Sequence, residues 1–211
     1  MPCRSHWTLA LLSLPLFVGL ALPARAHDRE KASQIAQKLG QRVESTNRNC
    51  KGTKVLSGHA IGVVRKPIDA VMSMVQDFDR YNHLFPHLRK SRVLARRGAN
   101  AMVYFEAGVL KGAKTLWAQM RIHAKPNEGE TRVIEGRMVS GNMDQFAARW
   151  ELTPVQDGKY TLVAFQVLVD PDLPLPDSVF NSENRKAALR TVERLRSQAE
   201  NIKATSLARN L

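Results

Sequence analysis

The residues with the most chemical reach in this chain are a few histidines, one internal cysteine and some carboxylates set in segments of alternating polarity. His83 and His87 stand four apart, a spacing that puts two imidazoles on one face of a helix. A zinc site asks for a third fixed ligand, and Leu84, not Glu, follows the first histidine, so no metal is expected. Cys50 sits among Arg48, Lys51 and Lys54, a basic setting of the kind that lowers a thiol pKa, but a lone spectator thiol is the expected reading. Glu106, Glu135 and His123 are the groups that could act as a general base over an apolar pocket. Glu106 and His123 are the candidate catalytic residues. There is no Gly-rich phosphate loop, no G-x-S-x-G and no Cys/His pair in a recognisable context, so no cofactor is expected.

The elements that must position these groups follow from periodicity. Ile35, Leu39 and Val43 suggest a short helix over 27–45, and the turn-rich Thr46–Gly52 reads as a linker. Thr53–Val64 reads as a strand ending at Lys66-Pro67, and Pro67 suits a first helical position. Ile68, Val71, Met72, Val75 and Phe78 form a helical apolar stripe, and a second short helix is predicted near Arg80–Leu88. From Lys90 the period changes to two. Ser91–Arg96, Ala101–Leu110, Lys114–Ala124, Arg132–Val139, Asp144–Pro154 and Lys159–Asp170 all read as strands, joined by short turn-forming connections. A long helix is predicted from Ser182 to Lys203, with Ser182 as its cap. Its apolar seam is Ala188, Val192, Leu195, Ala199 and Ile202. Six hairpin-linked strands need one face covered, and only this last helix is long enough. The expected fold is α+β: a curved antiparallel sheet of about seven strands around a long C-terminal helix.

Each strand offers two faces. Leu116, Ala118, Met120 and Ile122 oppose Trp117, Gln119, Arg121 and His123; Phe146, Ala148, Trp150 and Leu152 oppose Gln145, Ala147, Arg149 and Glu151. Glu106, Arg121 and Gln166 pointing inward would suit a cavity with a polar end, and pointing outward they would simply meet water. Alternation alone does not choose between these.

Residues 1–26 carry the marks of a signal peptide: Arg4, the apolar run Leu9–Leu22, and Ala24-Arg25-Ala26 at the expected cleavage site. That run is shorter than the roughly 20 residues a spanning helix needs. Export to a periplasm is therefore expected, with an N-terminal helix and linker over 27–52, the folded domain over 53–203 and a tail over 204–211. Cleavage would leave Cys50 as the only cysteine, so no internal disulfide is expected. The composition, 44% hydrophobic and 24% charged, excludes a wholly disordered chain. With 32 Lys+Arg against 19 Asp+Glu, the net charge is +13. Basic clusters at Arg89-Lys90, Arg92, Arg96-Arg97 and Arg185–Arg196 suit anionic lipid headgroups. The aromatic and basic interleaving of single-strand binders is missing, so no nucleic-acid partner is expected.

Three stretches carry a family resemblance: Ala60–Phe78, a strand running through Pro67 into an apolar helix; Asp77-Phe78-Asp79-Arg80-Tyr81 with Leu84-Phe85-Pro86; and Leu173-Pro174-Leu175-Pro176 with Phe180-Asn181 before the seam helix. In this order they resemble the START-like helix-grip fold of the SRPBCC superfamily. Within it the chain is most similar to the polyketide cyclase/lipid-transport branch that includes the coenzyme-Q-binding proteins. The resemblance covers Thr53–Lys203. It implies a cavity between sheet and C-terminal helix for a hydrophobic small molecule such as a lipid or isoprenoid. Tyr81, Phe85, Tyr104, Trp117, Trp150, Phe165, Ala188, Val192 and Leu195 are the candidate cavity residues. A cyclase/dehydratase-type enzyme and a cavity-less module working through its basic face are the alternatives.

Overall fold

In the computed structural model the period-two segments form one sheet of eight antiparallel strands. The structure describes residues 24–85, 88–109, 113–127 and 129–208, with side chains between 29 and 201. In chain order the elements are α1 (Ala24–Leu39), β1 (Glu44–Arg48), β2 (Ser57–Val64), α2 (Ile68–Val75), a 3-10 turn at Phe78–Arg80 and α3 (Tyr81–Leu84). Then come β3 (Leu88–Arg97), β4 (Asn100–Val109), β5 (Lys114–Ala124), β6 (Arg132–Gly141), β7 (Gln145–Val155), β8 (Tyr160–Asp170) and α4 (Asp177–Ala208). The strand order is β1-β2-β8-β7-β6-β5-β4-β3. The fold is the expected α+β arrangement of antiparallel sheet and long C-terminal helix.

Three boundaries differ from expectation. The sheet has eight strands rather than seven, because Glu44–Arg48, partly read as linker, pairs with β2 from Glu44↔Ile61 to Arg48↔Ser57. Its sequence, Glu-Ser-Thr-Asn-Arg, has no apolar residue to alternate; backbone hydrogen bonds make it a strand, at the sheet edge. The last helix opens at Asp177 rather than Ser182. Val179 and Phe180 supply an apolar first turn, and Asp177 complements the helix dipole there. The helix expected near Arg80–Leu88 is a 3-10 turn and one turn of α-helix ending at Leu84. The expected leader, residues 1–26, lies outside the described residues except for Ala24–Ala26, which open α1.

The two faces of the sheet are covered differently. On the inner face α4 lies along β2 and β8. The approach to β2 is so close that a Cβ at Gly58 would stand 1.9 Å from the Asn184 carbonyl oxygen. One turn pair along, a Cβ at Gly62 would meet Val192 at 3.1 Å. Ala188, Val192, Leu195 and Ala199 are buried against this part of the sheet, in one core with Val71, Val75 and Phe78. On the outer face α1 packs Ala32, Ala36 and Leu39 onto Val63, Val155 and Leu162. A second satellite joins Val55, Leu168 and Phe180.

Candidate functional site

Because α4 is held tight to β2 and β8, it stands away from β4–β7, and that separation leaves a cavity of about 810 Å³. This is within the roughly 300–1,000 Å³ of small-molecule pockets. Its floor is the inner-facing set of each strand: Phe105 on β4; Leu116, Ala118, Met120 and Ile122 on β5; Ile134 and Gly136 on β6; Phe146, Ala148 and Trp150 on β7; Phe165, Val167 and Val169 on β8. Tyr81 and Phe85 close one side, and Leu173, Leu175 and Val179 border another. Leu175 and Val179 are solvent-exposed, which marks the mouth.

Six aromatic rings run as a connected arc through this wall. Phe146 meets Phe105 at 6.2 Å between centroids, Phe105 stacks on Tyr81 at 5.8 Å, and Tyr81 meets Phe85 at 5.3 Å. Phe85 then contacts Phe165 at 5.8 Å, and Phe165 contacts Trp150 at 4.1 Å. The Tyr81 hydroxyl donates to the Val75 carbonyl. Burial pushes its pKa well up, so it stays a neutral, structurally engaged group. Two polar residues on the α4 side are likewise spoken for. Asn184 donates to the Leu56 and Val169 carbonyls and accepts from the Val169 N–H, and the Thr191 hydroxyl donates to Ala187. Glu183 pairs with Lys186 at 2.8 Å. The cavity wall is thus apolar apart from the exposed Arg89, Glu183 and Arg190.

Of the residues singled out by sequence, Tyr81, Phe85, Trp150 and Phe165 line this cavity together. Trp117 borders it, while its ring stacks on Tyr104 at 6.2 Å. Tyr104 is on the outer face, since Val103 and Phe105 on either side of it are buried inward. Ala188, Val192 and Leu195 are packed core against β2 rather than cavity wall. On α4 the cavity instead meets Ala187, Arg190 and Thr191. Phe105, Phe146 and Met120 are lining residues that were not singled out. Their signal was present as the uncharged member of each alternating pair of faces.

Glu106 and His123 both project from the outer face. Glu106 accepts from Lys90 Nζ at 2.9 Å and from the Tyr104 hydroxyl at 3.2 Å, and the Lys90 hydrogen bond holds its carboxyl below the usual range. His123 Nε2 lies 3.8 Å from Glu135. Glu135 also binds Arg149 and, at 3.2 Å, Lys125. Burial pushes the Glu135 carboxyl up, but the hydrogen bonds from Lys125 and Arg149 outweigh it and leave the pKa lowered. Cross-strand register extends this into a polar row over five strands: His59↔Gln166, Gln166↔Arg149, Arg149↔Glu135 and Glu135↔His123. Cys50 packs beside the Val55 satellite, 3.8 Å from Gln166 Nε2. His87 lies outside the described residues. The His83 carbonyl accepts from Gln198 at 2.9 Å, and among the described residues no His, Cys, Asp and Glu cluster could hold a metal ion.

Residues 64–196 match the family described as polyketide cyclase / dehydrase and lipid transport. No curated protein matches the chain. Solved structures agree in fold. A STAR-related lipid transfer protein from Xanthomonas axonopodis superposes with a TM-score of 0.65 at 15% identity, over 75% of this chain and 93% of its own. Human StAR-related lipid transfer protein 5 does so with 0.67 at 11% identity, over 85% and 98%. The Zhui aromatase/cyclase from Streptomyces sp. R1128 gives 0.52 at 14% identity, over 76% and 95%.

Proposed function

The chain belongs to the polyketide cyclase / dehydrase and lipid transport family, and from that premise we propose that it is a carrier that holds a lipid or isoprenoid in the cavity between sheet and C-terminal helix. The observation that carries this reading is the wall itself: about 810 Å³ bounded by aliphatic residues and an arc of six aromatic rings. Apolar ligand surface moved from water into such a wall gains roughly 25 cal/mol per Å². The carrier reading is favoured over a cyclase-type enzyme by where the carboxylates and imidazoles point. Glu106 and His123, the bases such an enzyme would need, face away from the cavity and are held in ion pairs or near them.

Exchange of cargo would take place at an anionic membrane surface. The strand β3 and helix α4 carry exposed Arg92, Arg97, Arg185 and Lys186, and exposed Leu175 and Val179 stand at the cavity mouth. Each basic side chain near such a surface adds roughly 1 kcal/mol. The setting we propose is a periplasm, reached by cleavage after Ala26. Native mass spectrometry of the protein purified from its own host, followed by organic extraction, tests the whole reading. A stoichiometric hydrophobic adduct on a chain beginning at His27 is expected. A clean apo mass together with no transfer of lipid between vesicles would overturn the carrier reading.

A further inference from the structure

Two exposed arginines, Arg89 and Arg190, line the cavity. Neither guanidinium makes a side-chain hydrogen bond or ion pair among the described residues, though the charge of Arg89 acts on Glu106 from a distance. Glu106 is bonded to Lys90 at 2.9 Å, and Glu183, which also lines the cavity, pairs with Lys186 at 2.8 Å. Lys114, on the facing β5, donates to the Asp172 carbonyl at 3.1 Å.

Two separate features of the fold bring Arg89 to this place. The β3–β4 ladder pairs Leu88 with Ala107 and Lys90 with Glu106, so Arg89 is the extra residue of a bulge. A bulge breaks the alternation of faces and re-aims a side chain, and here consecutive residues Leu88 and Arg89 both reach the cavity. Opposite them, position 108 is glycine. A Cβ there would lie 2.5 Å from Arg89 Nε and Nη2 and 2.6 Å from Cζ. The missing side chain is therefore the space the guanidinium occupies, flat against the β4 backbone. Arg190 comes to the same cavity from α4, one turn beyond Ala187. The guanidinium fork matches the planar oxygens of a carboxylate or the oxygens of a phosphate, and such charge-assisted bonds are the stronger kind.

From this geometry, and resting on the cavity-binding reading above, we infer that the cargo is an amphiphile with an oxyanion head, a carboxylate or phosphate held by Arg89 and Arg190 while its chain lies along the aromatic arc. The test uses three ligands with the same sixteen-carbon chain: hexadecanoate, hexadecyl phosphate and neutral hexadecanol. Each is titrated into delipidated full-length protein at pH 8 and low salt, below its aggregation concentration and without vesicles, so that only cargo binding is read. Both anions should bind at least about tenfold more tightly than the alcohol. Arg89→Met and Arg190→Met should each reduce that ratio by about threefold or more. Gly108→Ala should reduce it too, because the new methyl displaces the guanidinium while leaving every charge in the protein. Since the displaced group is the end of a flexible side chain, this variant keeps its backbone. Equal binding of anions and alcohol, or a ratio that survives both Arg→Met variants, would overturn the inference and leave the carrier reading standing. Failure of all three ligands to bind would overturn the carrier reading itself.

Discussion

On its inner face the sheet carries aliphatic and aromatic side chains, and part of that surface is bare; on its outer face, beside apolar patches under α1 and around Val55, it carries a group of ions matched to one another around Glu135. The inner set of β5 is Leu116, Ala118, Met120 and Ile122, each buried. Its outer set includes Arg121 and His123, the latter beside Glu135 and its partners Arg149 and Lys125. A carrier needs surface that is apolar and unfilled, and a sheet can leave it so only if something else keeps the strands together. Here α4 clamps one end of the inner face, at β2 and β8, and the outer row ties β5, β6 and β7 across their backs. The charges on these strands pair with one another on the side of the sheet away from the cavity.

The contrast is broken most severely where inner-face packing leaves no room. Gly58→Ala drives a methyl into the backbone of α4 at Asn184, and backbone does not yield as a side-chain end does. A loss of about 3 kcal/mol of stability is expected, read as an earlier denaturant midpoint. A shift of less than about 0.5 kcal/mol would show that α4 is not held to β2 as described. The outer face is tested by Glu135→Gln, which removes the acceptor charge facing Lys125 and Arg149 while keeping the shape. About 2 kcal/mol should be lost, although no atom near the cavity changes. If ligand affinity rather than stability were the main casualty, the separation of roles between the faces would be wrong.

The order of elements was legible because the change of period at Lys90 is strong and because Pro67 and the Pro171–Pro176 stretch punctuate it. The two faces of each strand were legible as well, since alternation of side chains follows from the pleat. Which face looks inward was not. Glu106, Arg121 and Gln166 could furnish a polar cavity end or an outer surface, and only the position of α4 decides. The seam of α4 misled in a related way. Ala188, Val192 and Leu195 were expected at the cavity, but they pack in the core where α4 meets β2, and the void opens one residue round the helix at Ala187 and Thr191. Neither β1 nor the bulge at Arg89 has a side-chain signature, because both are made by backbone pairing.

Ala187→Trp sharpens the inner half of the comparison. Ala187 is half-buried on the cavity side of α4, so an indole there occupies ligand space instead of displacing the clamp. Hydrophobic ligand should bind about tenfold more weakly or worse, a change of at least about 1.4 kcal/mol. The melting temperature should move by no more than about 4 °C. The same substitution at Ala188, buried completely against β2, should unfold the protein instead. Equal behaviour of the two variants would mean that the boundary between packed core and cavity has been drawn in the wrong place.

The smallest effect concerns acid. His59 is buried on the outer face at the β2 end of the polar row, and burial, reinforced by Arg48, lowers its pKa from the ordinary 6.5. A native state that refuses this proton is matched against an unfolded chain that takes it, so unfolding binds protons and stability falls as pH drops below about 6.5. Glu135 acts later. Its carboxyl is lowered from the ordinary 4.5, and its contribution is present above that value and fades as pH falls through the native pKa. The acid limb of a stability–pH profile should therefore come in two stages. His59→Gln should remove the first and Glu135→Gln the second, while binding of neutral hexadecanol follows stability alone through the upper stage. An unaltered slope between pH 7 and pH 5 in the His59 variant would mean that the outer face does not exclude the proton, and that its histidine is more open to water than its packing implies.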